Sequence, residues 1–83
     1  DEFEFNDFTL YPNPANNEVN LKWNKPDDVS VRIYNTLGKI VFYGKKVNLQ
    51  NGLKIDVSSF DSGLYFVKLN SDNGEITKKL ILK

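Results

Sequence analysis

Val29-Ser30-Val31-Arg32-Ile33-Tyr34, then Asn35-Thr36-Leu37-Gly38, then Lys39-Ile40-Val41-Phe42-Tyr43 is the stretch that decides the fold. In the first run apolar and polar residues alternate with period two. Val29, Val31 and Ile33 therefore line one side of an extended chain, and Ser30, Arg32 and Tyr34 face the other. An amphipathic helix would instead repeat its apolar residues every 3.6 positions. The middle run places Gly38 where a hairpin needs a positive φ, which glycine adopts without steric cost. Ile40 to Tyr43 is apolar on both faces, as expected of a central strand covered twice.

The same alphabet extends in both directions. Val19, Leu21 and Trp23 alternate with Glu18, Asn20 and Lys22, while Leu53, Ile55 and Val57 alternate with Lys54 and Asp56. Leu64 to Leu69 again has the two-faced character of a central strand. Between the runs stand turns with a mechanism. Tyr11-Pro12-Asn13-Pro14 fixes two φ angles and removes two ladder donors, so it must be a loop. Pro26-Asp27-Asp28, Asp61-Ser62-Gly63 and Asp72-Asn73-Gly74 are further turns, with positive φ expected at Gly63, and Asn51-Gly52 reads as a two-residue hairpin. The predicted strands are Phe8–Leu10, Val19–Trp23, Val29–Tyr34, Lys39–Tyr43, Val47–Leu49, Leu53–Val57 and Leu64–Asn70, with Glu75–Leu82 as an eighth. Turn residues at roughly 8–12-residue spacing and no helical period predict an all-β fold, an Ig-like antiparallel β-sandwich of about seven strands. One domain spans residues 8–83. The acidic, Phe-containing start, residues 1–7, reads as a linker remnant or a short edge strand, as at the beginning of an excised module.

Composition removes most chemistry. The 83 residues carry 11 Lys+Arg against 11 Asp+Glu, with no His, no Cys and no Met. The sequence excludes Ser-His-Asp and Cys-His nucleophilic sites, zinc centres of the usual His/Cys kind, and disulfides. A chain of this size buries only about 60% of its extended surface, which leaves little room for a cleft beside the core. Zero net charge gives no electrostatic reason to expect nucleic acid as a partner. No apolar run approaches the roughly 20 residues of a membrane-spanning helix. No cofactor and no metal are expected.

The remaining constellations read blandly. Asp72-Asn73-Gly74-Glu75 and Asp27-Asp28 offer oxygen ligands, yet neither has calcium-loop spacing, and a turn and a solvated pair are favoured. Asp56, Asp61 and Glu75 supply carboxylates, but no pattern brings two of them across a cleft as glycoside hydrolysis requires. One Trp, four Tyr and six Phe suffice for a sugar platform. Trp23 falls on the apolar phase and belongs to the core, which leaves Tyr34 and Tyr43 as the outward-facing candidates. Lys45-Lys46 and Lys78-Lys79 are short pairs of the kind that usually stay solvated. The apolar ending Leu80-Ile81-Leu82 calls for a packing partner.

Four segments, in this order and spacing, resemble the type A C-terminal sorting domain of the type IX (Por) secretion system of Gram-negative bacteria. They are Tyr11-Pro12-Asn13-Pro14 followed by Glu18-Val19-Asn20-Leu21; Val31-Arg32-Ile33-Tyr34-Asn35 leading through Leu37-Gly38-Lys39 to Ile40-Val41; Ile55-Asp56-Val57-Ser58-Ser59-Phe60 with Ser62-Gly63-Leu64-Tyr65-Phe66-Val67-Lys68; and Gly74 with Thr77-Lys78-Lys79-Leu80-Ile81. The resemblance covers residues 10 to 83, and the first nine residues match no part of it. It implies a non-enzymatic address label on an upstream cargo domain. The cargo would cross the outer membrane through the type IX translocon to the cell surface or medium, and a sortase-like peptidase would commonly remove the label. Tyr11, Pro12, Asn13, Pro14, Gly38, Lys39, Gly63, Tyr65, Lys78, Lys79 and Leu80 are the sorting-motif residues it marks. A carbohydrate-binding or adhesive accessory sandwich shares the fold class and is the alternative.

Overall fold

A computed structural model describes residues 8–25, 27–72 and 74–83. Residues 1–7, Pro26 and Asn73 lie outside the described residues, and with them the reading of 1–7 as linker or edge strand. Seven strands follow one another without a helix among the described residues: β1 (Thr9–Tyr11), β2 (Glu18–Lys22), β3 (Asp28–Tyr34), β4 (Ile40–Asn48), β5 (Leu53–Asp56), β6 (Gly63–Ser71) and β7 (Gly74–Leu82). They form two sheets, β1-β2-β5 and β4-β3-β6-β7, in which every neighbouring pair is antiparallel. This is the predicted sandwich.

Alternation dictates which side chains meet between the sheets. Val19, Leu21 and Trp23, then Val29, Val31 and Ile33, then Val67 and Leu69, then Leu80 and Leu82 are all buried, and their odd-even partners are not. Each such side chain contributes about 1.5–3 kcal/mol on leaving water. Trp23 lies in the core as its phase requires, with no exposed surface.

Four expectations need correction. Lys39–Tyr43 and Val47–Leu49 are one strand rather than two. Val29 pairs with Val47 and Val31 with Gly44, so the chain around Lys45-Lys46 bulges, with Lys46 at φ 55°, and the ladder resumes. A second register shift sits between Ile33 and Tyr34. Second, Ile40 to Tyr43 is not central: β4 is an edge strand, and Ile40 and Tyr43 are exposed. Its other apolar residues, Val41 and Phe42, pack against the rim of the core, which accounts for the two-faced pattern. Third, Leu64 to Leu69 does lie centrally, between β3 and β7, but only its inner face is covered and Leu64 remains exposed.

Asn51-Gly52 is the fourth. Gly52 has φ 84° and its N–H donates to the Leu49 carbonyl, so a tight turn is present. It does not close a hairpin, because β4 belongs to one sheet and β5 pairs with β2 in the other. The chain arches across the sandwich there, held by the buried Leu49, whose carbonyl also accepts the N–H of Trp23.

Candidate functional site

The Tyr11–Ala15 segment binds the outer edge of the last strand. Asn13 presents its amide as a neighbouring strand presents a peptide group: Nδ2 donates to the Lys79 carbonyl at 3.1 Å and Oδ1 accepts the Ile81 N–H at 3.0 Å. Ala15 continues the imitation, donating to the Ile81 carbonyl at 2.8 Å and accepting from the Lys83 N–H at 2.9 Å. Ala15 is fully buried and forms a parallel bridge to Leu82. Prolines on either side of Asn13, both after cis peptide bonds, have no N–H to donate to a ladder, and the Asn13 side chain supplies a donor and an acceptor instead. Tyr11 is exposed, and its carbonyl accepts from Asn20 Nδ2 at 3.3 Å.

Leu80 and Leu82, which anchor this end of β7, pair across the sheet with Tyr65 and Gly63. Tyr65 is buried, packs at 5.9 Å from the Phe60 ring, and donates its hydroxyl to the Asp61 carbonyl at 2.8 Å. A tyrosine bonded back to the turn that precedes its own strand is the tyrosine-corner device of immunoglobulin-like sandwiches. Gly63 has φ 143°, in accord with the positive φ expected of it, and a Cβ there would meet nothing within 4 Å.

The turn between β3 and β4 completes this end. Asn35 Oδ1 accepts the N–H groups of Leu37 and Lys39, both at 2.9 Å, and Gly38 takes φ 84°. Lys39 then borders a shallow recess with Asn35, Ser59, Phe60, Asp61 and Tyr65. Asn13, Pro14, Gly38, Lys39, Gly63, Tyr65 and Leu80 thus come from four distant segments to one end of the sandwich.

The lysine pair divides. Lys79 faces solvent on the outer face, whereas Lys78 lies half-buried on the core side, where Nζ donates to the Phe8 carbonyl at 3.0 Å and sits 5.0 Å from the Phe8 ring centroid. The solvated reading fits Lys79 and not Lys78. Period two carried the signal: Lys78 shares a phase with Leu80 and Leu82. Ala15 carries no such signal, since an alanine in a polar loop gives no sign that its backbone bonds to the end of the last strand.

The electrostatics are mild. Asp56 Oδ1 accepts the Ser58 hydroxyl at 2.7 Å and the Ser58 N–H at 2.9 Å, and these two bonds hold its carboxyl below the ordinary carboxylate range against a small opposing effect of burial. Glu18 with Lys54 is an exposed ion pair at 3.9 Å, and exposed Glu75 meets the half-buried Lys68 at 3.4 Å; both are of little energetic weight. Among the described residues no group of three potential metal ligands assembles. On the outer face the Arg32 guanidinium stands 4.8 Å from the centroid of Tyr43, occupying one side of that ring, and Tyr34 is half-buried.

Comparison with known proteins gives a consistent result. The family profile described as secretion system C-terminal sorting domain matches residues 9–83. The chain is 31% identical over 81 residues to an endo-acting ulvan lyase of Formosa agariphila, covering 93% of this chain and 15% of that protein. It is 32% identical over 73 residues to β-agarase D of Zobellia galactanivorans, covering 88% and 14%. The chain therefore spans about a seventh of the curated relatives it matches. In fold it is similar to part of PorZ, an essential bacterial surface component of the type-IX secretion system of Porphyromonas gingivalis, with TM-score 0.76 at 18% identity over 92% of this chain and 11% of that one.

Proposed function

We propose a function from one premise: the chain belongs to the family of secretion system C-terminal sorting domains. It serves as the label by which a larger cargo protein is carried through the type IX outer-membrane translocon to the cell surface or medium. A sortase-like peptidase removes it there. The domain performs no chemistry of its own; its partners are the translocon, the peptidase and the cargo to which it is joined.

One observation carries this reading. Four segments spread along the sequence are gathered at one end of the sandwich, where Asn13 and Ala15 bind the final strand with four hydrogen bonds. A receptor that accepts many unrelated cargoes must read a surface common to all of them, and a compact end assembled from fixed loops offers one. The sugar-binding alternative lacks such support, because Arg32 already occupies a face of Tyr43.

The test is a fusion of residues 8–83 to a periplasmically exported reporter, in a host that possesses the type IX system. The reporter should reach the surface or medium, and it should remain periplasmic when the translocon is deleted. A reporter retained in the periplasm while the host's own cargo is still exported would sink the proposal.

A further inference from the structure

We propose that the open half of the β7 edge is a self-association surface, which pairs antiparallel with the same edge of a second copy of this chain. It goes beyond the sorting function and rests on the outer edge at Glu75, Thr77 and Lys79, of which Lys79 is also a sorting-motif residue. In β7 the backbone groups of Ile81 face away from β6, since they are taken by Asn13 and Ala15. Alternation then turns the N–H and C=O groups of Glu75 and Thr77, and the N–H of Lys79, to the same outer edge. Asn13 and Ala15 satisfy that edge from the Lys79 carbonyl onward, and they end there. Among the described residues nothing pairs with the outer backbone groups of Glu75 and Thr77.

The two edges of the four-stranded sheet differ in a way that bears on pairing. β4 is bulged twice and carries Gly44, Lys45 and Lys46 along its irregular part, features that discourage another strand from adding. β7 keeps an unbroken register of nine pairs with β6, contains no proline, and is β-branched at Ile76 and Thr77. It offers a regular template, guarded by the charges of Glu75, Lys78 and Lys79 but by neither bulge nor proline.

Charge selects the occupant. Glu75, Thr77 and Lys79 are exposed on one face of the strand, two residues apart. A two-fold axis through Thr77 sets Glu75 opposite Lys79 of the second copy and Lys79 opposite its Glu75, with the Thr77 pair and the Lys79 N–H forming the ladder while the Lys79 carbonyl stays with Asn13. Thr77 meets Thr77, and Glu75 stays beside its own Lys68. Opposite charges across an antiparallel pair are favourable and like charges are not. Centring on Glu75 or on Lys79 sets like charges face to face, and the second of these also runs into Asn13. Axes through Ile76 or Lys78 leave no Glu–Lys pair. The edge is thus self-complementary in one register, as an isologous contact requires.

Sedimentation equilibrium on the 83-residue chain tests this at low salt from about 10 µM to about 1 mM, bracketing the Kd of roughly 0.1 mM expected of so short an interface. A reversible monomer–dimer equilibrium is expected. Glu75→Lys or Lys79→Glu alone should weaken it about tenfold or more, and the two together should restore it, because the pair is merely reversed. Thr77→Pro should abolish the dimer and leave the circular dichroism unchanged, since that N–H points away from β6. A chain monomeric throughout the range, a double variant as weak as either single one, or a dimer indifferent to Thr77→Pro would overturn the proposal. Association that appears only after residues 1–7 are removed would overturn it too, by showing that the edge is filled from within the chain.

Discussion

At Gly63 the conformation and not the surroundings sets the constraint. A Cβ would meet no atom within 4 Å, but φ is 143°, where a β-branched residue is strained. Gly63→Val should lower stability by about 1–3 kcal/mol with no clash to relieve, seen as a fall in the denaturant midpoint; an unchanged midpoint would show that the turn accepts an ordinary residue. Asp56 makes a different kind of prediction. Its carboxylate is favoured in the fold by the Ser58 N–H and hydroxyl, so its folded pKa lies below the unfolded value of about 3.9. The stabilisation is therefore fully present above that value and is lost as pH falls through the folded pKa. Asp56→Asn keeps an oxygen acceptor and removes the charge. The variant should be less stable than the parent near neutrality, and the two urea midpoints should converge as pH falls through the lowered folded pKa of Asp56. A gap that stays constant across that range would mean the carboxylate charge has no part in it.

At the scale of elements, the clasp on β7 predicts a pattern along one strand. Asn13→Ala removes the acceptor of the Ile81 N–H and a donor to the Lys79 carbonyl, at a net cost of about 1–2 kcal/mol for two exposed bonds. Amide exchange should quicken at Ile81 and much less at Leu80, whose N–H is turned toward β6 by the same alternation. Equal acceleration at both would point to general loosening of the strand. Strand existence was legible in the sequence because period two survives whatever a strand pairs with, and β2, β3 and β5 lie where apolar and polar residues alternate. Which sheet a strand joins was not legible. Asn51-Gly52 specifies a turn and is silent on whether the next strand comes back beside β4 or crosses to β2. The run Ile40 to Tyr43 is apolar on both sides whether it is covered or lies at an edge. For the candidate site, the motif segments were visible one by one. Their convergence was not, because it depends on β7 lying beside the Asn13 loop, a contact 66 residues away in sequence.

For the molecule as a whole, the final residues are core before they are signal. Leu80 is fully buried and Leu82 nearly so, each closing the sandwich against Tyr65 or Ala15. Deleting Leu80-Ile81-Leu82-Lys83 removes both leucines and every hydrogen-bond partner of Asn13 and Ala15 on β7 except the Lys79 carbonyl. Loss of a buried leucine costs about 2–5 kcal/mol, and a domain of this size has only about 5–10 kcal/mol in total. The truncated chain should therefore unfold. Trp23 reports this directly: it is the one tryptophan and has no exposed surface in the fold, so its emission should shift to the red while the sheet signal in circular dichroism is lost. A truncated chain that keeps blue-shifted emission and unfolds cooperatively would show that the core closes without its last strand end. The consequence for export is specific. A failure of the truncated fusion to leave the periplasm would report an unfolded label, whereas Lys79→Ala, which alters an exposed side chain and leaves the core intact, probes the surface of β7 in a folded label. Export lost on truncation but retained with Lys79→Ala would place the requirement in the fold; export lost with both, the second with unchanged stability, would place it at the surface of β7.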